Sequence, residues 1–460
     1  MTTTRTRERH RAVVVGAGLA GTTACLDLAA RGWDVTLLES RSRLGGRAYS
    51  FTREGLEVDT GQHVVLRCYS EYLALLARMG VSSLIGLQDR MDIPVLRPGA
   101  RPARLRRART GPAPLHLLPT LAGYSLLTPA ERVGAARAML ALRRVDPDDP
   151  ATDRQSLGGW LRAHGQGARV REALWGLVVV PALNIDVDAA SLALAARVFR
   201  TGLLEQAAAG DIGVPEASLS TLHDDAARRS LARAGVRVRT RERVSAVEVT
   251  DEGCTVRTAG GETTADAVVT AVPHDQAARL LPAHVAPRKE EWARLGSSAI
   301  VNVHLRYDRA VTDLTFGATV GSPVQWFFDR TRTAGADDPA GGQYLVVSLS
   351  AADDLLDEPA ERLVDVHRRA MADLFPRAAG ARLVDGFVTR EPRATFRQCA
   401  GSSAFRPASA TASPYVAVAG AWTATGWPDT LEGAVRSGLA ATRAIGSPTT
   451  HRTERSVMVR

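Results

Sequence analysis

Residues 13–39 read VVVGAGLAGTTACLDLAARGWDVTLLE, a pattern suited to holding phosphate and ribose. Gly16 permits a sharp turn out of an apolar strand, Gly18 lets the backbone approach a pyrophosphate, and Gly21 lets the following helix pack closely on the strand. Ala17, Leu19 and Ala20 complete the turn, and the helix N-terminus then meets the phosphate charge. Glu39 stands 18 residues beyond Gly21, at the end of a second strand. There a carboxylate can accept hydrogen bonds from both ribose hydroxyls, and it would repel a 2′-phosphate. The expected unit is a dinucleotide-binding βαβ.

The rest of the chain must hold that unit against a reaction partner. At 460 residues with 45% hydrophobic side chains, it can bury a large core in two interleaved lobes. The formal charge is +9, and Lys289 is the one lysine, a bias that fits a GC-rich genome better than a binding function. Residues 97–109, RPGARPARLRRAR, hold six arginines and read as an exposed loop. Its sharper reading is a contact with anionic lipid headgroups. Nucleic acid is not expected, since no aromatic residues interleave with the charge and no recognition motif accompanies it. Cys25, Cys68, Cys254 and Cys399 show no metal-ligand spacing and read as free thiols in a reducing compartment. No metal site is expected. MTTTRTRERHR lacks a following h-region and cleavage site, and no segment nears 18 uninterrupted apolar residues. A cytoplasmic location is the expectation, with any membrane contact peripheral, on the inner face of the cell membrane.

Apolar periodicity divides the chain into alternating pieces. A nucleotide-binding part occupies 1–87 and a mainly helical lobe 88–215. The nucleotide-binding pattern resumes at 216–275, where GVRVRTRERVSAVEVT, CTVRT and ADAVVTAVP suggest a small meander feeding back into the sheet. A second substrate-lobe segment covers 276–408, a closing strand, loop and helix cover 409–446, and 447–460 reads as a disordered tail.

These ordered motifs resemble the flavin amine oxidase and phytoene desaturase superfamily over essentially the whole chain. The resemblance implies an α/β fold, a discontinuous Rossmann-like FAD-binding domain of the amine oxidase/glutathione reductase type with an α+β substrate-binding lobe. VGAGLAG and Glu39 match the adenosine end of FAD, and Arg41 with Gly45, Gly46 and Arg47 matches the second cofactor signature. Asp59 to His63, including Gly61 and Gln62, would pass the isoalloxazine, and Val244 would meet adenine through its backbone. Gly420 and Ala421 precede a loop, and Leu431, Glu432 and Gly433 open a helix aimed at the flavin pyrimidine. That helix dipole would stabilise a reduced, anionic flavin. The family usually has an acid binding ribitol where this chain has Ala421. Cys399 does not sit in the motif for covalent attachment, so non-covalent FAD is expected.

DTGQHVVLRCYSEYLALLARMG and AGAWTATGWPDTLEGAVRSG together look like the squalene-associated branch, the hydroxysqualene dehydroxylases. That likeness implies a long isoprenoid substrate and hydride delivery from reduced FAD to an allylic carbon as its hydroxyl departs as water. Departure needs a proton donor and a dry pocket. His63 is the first candidate acid, since histidine titrates near neutrality, and Asp429 the second. Trp422 and Trp427 could shape an apolar tunnel, and residues 97–127 its membrane-facing mouth. The rivals are a polyene desaturase running hydride the other way, an amine oxidase, and a non-catalytic isoprenoid-binding escort. The electron donor is left open, because no second nucleotide motif is visible.

Overall fold

The computed structural model describes residues 10–250, 253–336 and 342–445; the expected disordered tail, 447–460, lies outside them. A five-stranded parallel sheet forms the nucleotide-binding half, in the order Arg237–Thr240, Asp34–Glu39, Arg11–Val15, Ala267–Thr270, Val416–Val418. Its strands thus come from both ends and the middle of the chain. The inner strands are apolar runs because helices cover both faces of a parallel sheet: four of the five residues of Arg11–Val15 are buried, and all of Ala267–Thr270. Helices Leu19–Ala30 and Leu431–Ile445 pack against one another, tied by Thr442 Oγ1 to Asp27 at 2.6 Å. The meander is an antiparallel sheet of Val244–Thr250, Gly253–Thr258 and Gly261–Ala265.

The second half is built on a seven-stranded sheet, in the order Leu383–Thr395, Ser298–Tyr307, Gln343–Ser350, Trp326–Asp329, Phe316–Thr319, Asp92–Leu96, Ala103–Arg106. This overturns the reading of 97–109 as one exposed loop. The segment turns back as a hairpin, with Arg104 and Arg106 on Asp92 and Arg107 buried on Asp211 at 2.6 Å. Asp211 is fully buried and also accepts from Arg67 Nε and the Met91 amide. A buried carboxylate needs such partners, and they lie more than a hundred residues apart.

Two buried histidines set an acid limit. His223, bonded to the Tyr72 hydroxyl at 2.8 Å and the Ala48 carbonyl at 3.0 Å, is pushed by burial down to about 4. His304, bonded to the Tyr344 hydroxyl at 2.7 Å, is pushed by burial down to about 3. Both fold as neutral rings, so below an ordinary value of 6.5 the unfolded chain binds more protons than the folded one, and stability falls with pH. The expected slope is about 1.4 kcal/mol per pH unit for each ring between 6.5 and its folded value. Chemical unfolding across pH 4 to 8 should show a plateau above 6.5 and a steep fall below, shallower in His223→Gln.

Candidate active site

One cavity of about 670 Å³ runs from the glycine turn to the seven-stranded sheet. At its nucleotide end Gly16 has φ +99, and an added Cβ would stand 2.5 Å from the Ala271 carbonyl oxygen. Gly18 forms the N-cap of helix Leu19–Ala30 and supplies no side-chain cap, which leaves first-turn amides for an anionic ligand. The second turn, with Gly45 and Gly46 at positive φ, closes over the first, and a Cβ on Gly46 would lie 2.9 Å from Gly18 Cα. Glu39 is buried and accepts from the Ala17 amide and the Arg41 amide, each at 2.8 Å. This cradle, with glycine at its closest approaches and helix-start amides left free, fits a dinucleotide.

Most of the residues expected at the cofactor line this cavity: Gly16 to Ala20, Glu39, Arg41, Gly45 to Arg47, Gly61 to His63, Val244, Gly420, Ala421 and Leu431. Three do not. Gly21 is a packing position, where a Cβ would come 1.9 Å from the Gly16 carbonyl oxygen, and Gly433 abuts the Pro428 carbonyl in the same way. Glu432 is a correction. Its side chain is fully buried and accepts the Tyr72 amide at 2.8 Å and the Glu71 amide at 3.2 Å, capping helix Ser70–Met79. Trp422 lines the cavity and donates to the Val272 carbonyl at 3.0 Å. Trp427 packs instead on Tyr69, under Arg436.

The Gly61-Gln62-His63 segment is held from below. Asp59 accepts from Arg330 at 2.7 Å, Ser50 Oγ at 2.6 Å and the Leu219 amide at 3.0 Å, while the Asn302 amide donates to the Thr60 carbonyl. His63 Nδ1 lies 3.1 Å from the Gly61 carbonyl, which can only accept, so a neutral ring keeps its proton there and presents Nε2 as an acceptor. Burial lowers the His63 pKa, opposed in part by that carbonyl and by Asp59. The expectation was a ring titrating near its ordinary value; burial moves it below that value. Asp429, the second candidate acid, is shifted the other way. It lines the cavity with Oδ2 fixed by the Phe396 amide at 2.9 Å, and burial raises its pKa against Arg47, that amide, Arg406 and His274.

Away from the nucleotide end the walls become apolar. Helices and π-turns supply Leu121, Met139, Leu174 and Leu177, and the sheet supplies Trp326 and Phe328. Sequence reasoning missed Arg406, which is buried and donates to the carbonyls of Ala421 at 3.0 Å, Trp422 at 3.3 Å, Thr423 at 2.6 Å and Trp427 at 2.7 Å. Burial pushes it down to about 10, opposed by Asp429 and Asp153. It holds the loop that carries Ala421. Glu242, beside Val244, and Glu391 on the edge strand were missed as well.

Residues 19–446 match the family described as flavin containing amine oxidoreductase. The chain belongs to that family. This flavin amine oxidoreductase is an FAD-dependent enzyme, and none of its four cysteines lines the cavity. Its similarity to hydroxysqualene dehydroxylases is 30% identity to the one from Sinorhizobium fredii, over 92% of this chain and 95% of the relative. It is 28% for that from Rhodopseudomonas palustris, over 92% and 96%. A zeta-carotene desaturase from Synechocystis is 26% identical over 95% of this chain and 97% of its own. Among solved structures, cyclohexylamine oxidase from Brevibacterium oxydans superposes with a TM-score of 0.70 at 16% identity, covering 98% of this chain and 100% of the other. That likeness shows the fold.

Proposed function

We propose that this flavin amine oxidoreductase removes the hydroxyl of hydroxysqualene, or of a closely similar allylic isoprenoid alcohol, to give the hydrocarbon. The observation that carries the reading is the cavity itself: the cofactor groove opens directly into an apolar branch suited to a long hydrocarbon. The two dehydroxylase relatives support the same substrate class. When bound, reduced FAD supplies hydride equivalents. The chain's part is to hold the alcohol against that cofactor, exclude water with its apolar walls, and deliver a proton from Asp429 to the hydroxyl oxygen so that the C–O bond breaks and water leaves. Single-turnover oxidation of the reduced protein by hydroxysqualene tests the reading. In that assay Asp429→Asn, which keeps an acceptor for the Phe396 amide, should be slowed about 100-fold or more. His63→Gln should keep at least roughly a tenth of the rate, as suits a ring that orients rather than protonates. The opposite order would return proton donation to His63.

A poorly soluble substrate calls for a membrane-facing mouth, and the exposed apolar side chains support one region as that mouth. Of the seven large apolar side chains exposed among the described residues, four fall between 115 and 140: Leu115, Leu118, Val133 and Leu140, each about half exposed. The same segment turns Leu117, Leu121 and Met139 into the cavity, so one thin wall faces both ways. Arg97, Arg101 and Arg109 are exposed nearby in sequence, and among the described residues no carboxylate pairs with them. No described helix is long and apolar enough to cross a membrane. We place this wall on an anionic bilayer. Flotation with vesicles containing phosphatidylglycerol should fall roughly tenfold in the Leu118→Asp, Leu140→Asp double variant. Undiminished flotation would remove this surface.

A further inference from the structure

Four carboxylates line the cavity, and three are engaged. Glu39 takes two backbone amides, Glu242 takes the Thr258 hydroxyl and pairs with Arg239, and Asp429 takes the Phe396 amide. Glu391 is different: among the described residues no hydrogen bond or ion pair reaches it. Its place in the sheet is specific. Ile300 faces Glu391 across the strand pair, yet Ser298, two residues back, faces Thr395, so four steps on one strand oppose two on the other. This is a bulge with Pro392 inside it, and bulges re-aim the side chains beside them.

Two contacts to the cofactor groove bracket the bulge. On one side Thr389 faces Asn302, whose amide donates to the Thr60 carbonyl at 3.1 Å. On the other, Arg47 donates to the Ala394 carbonyl at 3.2 Å. Glu391 is two residues, about 7 Å, along the strand from the first contact. Glu391 lines the cavity, as do Ile300 across the strand pair and Ser350 on the strand beyond Ile300. Glu391 is half-buried, and no cationic side chain among the described residues pairs with it.

We propose that Glu391 is the counter-charge for a positive centre on the ligand: the allylic carbon as its hydroxyl leaves and, by the same electrostatics, an alkylammonium of similar shape. The first half rests on the dehydroxylation reading; the second does not. The test uses the FAD-loaded protein and two dark-binding probes followed by tryptophan fluorescence, N,N-dimethyldodecylammonium and its uncharged carbon isostere 2-methyltetradecane. Wild type should prefer the ammonium, Glu391→Gln should lose that preference by roughly tenfold, and Glu391→Asp should keep most of it. Equal affinity of wild type for the two probes, or an undiminished preference in Glu391→Gln, overturns the proposal. Should Glu391→Gln not load flavin, the same comparison in Glu391→Ala decides: a lost preference supports the proposal and a kept one overturns it. A wild type that prefers the ammonium yet forms no squalene from hydroxysqualene would end the dehydroxylase reading and leave Glu391 as a cation's partner.

Discussion

Gly21→Ala should purify colourless. The added methyl would stand 1.9 Å from the Gly16 carbonyl oxygen and 3.3 Å from Ala271 Cβ. The first obstacle is backbone, so no side-chain rotation relieves it, and helix Leu19–Ala30 must move away from the turn it opens. That displacement opens the approach of Gly18 to Gly46 and withdraws the first-turn amides from the phosphate position. Overpacking of this kind costs about 1–3 kcal/mol even where neighbours can shift. Flavin absorbance per mole of folded protein should fall at least tenfold, with the far-UV circular dichroism preserved. A yellow, fully loaded Gly21→Ala would mean that the turn does not hold the cofactor.

The second large effect is expected from Arg406→Leu. One guanidinium satisfies four carbonyls of the loop between Val416–Val418 and the C-terminal helix, and it also stacks over Phe396 at 5.0 Å. Leucine fills part of the volume and leaves the Ala421, Trp422 and Trp427 carbonyls without that donor, while Thr423 keeps the Thr425 amide, at a cost of about 3 kcal/mol or more. The loop carries Gly420, Ala421 and Asp429, all on the cavity wall, so flavin loading and turnover should fall together. Arg406→Lys should not rescue, because a single ammonium cannot reproduce the planar fork. Calorimetry beside flavin content checks both halves, and a stable, loaded Arg406→Leu would show that the loop holds itself.

The parts legible in the sequence are those whose chemistry is local. Gly16, Gly18, Gly46 and Glu39 fall within one stretch of about thirty residues, and their spacing within it declares them, although Gly16 also abuts the distant Ala271 carbonyl. What escaped depends on partners far along the chain. Arg107 read as a solvated loop residue because nothing near it is acidic, and its partner Asp211 lies 104 positions away. Glu432 sits in a motif that reads as a cofactor contact, but the amides it accepts are those of Glu71 and Tyr72 at the start of a distant helix. His63 was correctly brought to the cavity, whereas its pKa depends on burial that no motif encodes. Glu391, Trp326 and Phe328 reach the cavity through strand register in the seven-stranded sheet, and register emerges only once the strands are paired.

The central claim is that the cavity takes an allylic isoprenoid alcohol and hydride passes from cofactor to substrate. The direct measurement is anaerobic: reduce the yellow protein with dithionite, remove the excess, add hydroxysqualene, and follow flavin absorbance while assaying squalene. The account predicts reoxidation with one squalene formed per flavin. A flavin that stays reduced, with no squalene, would contradict it and favour hydride flow in the opposite direction.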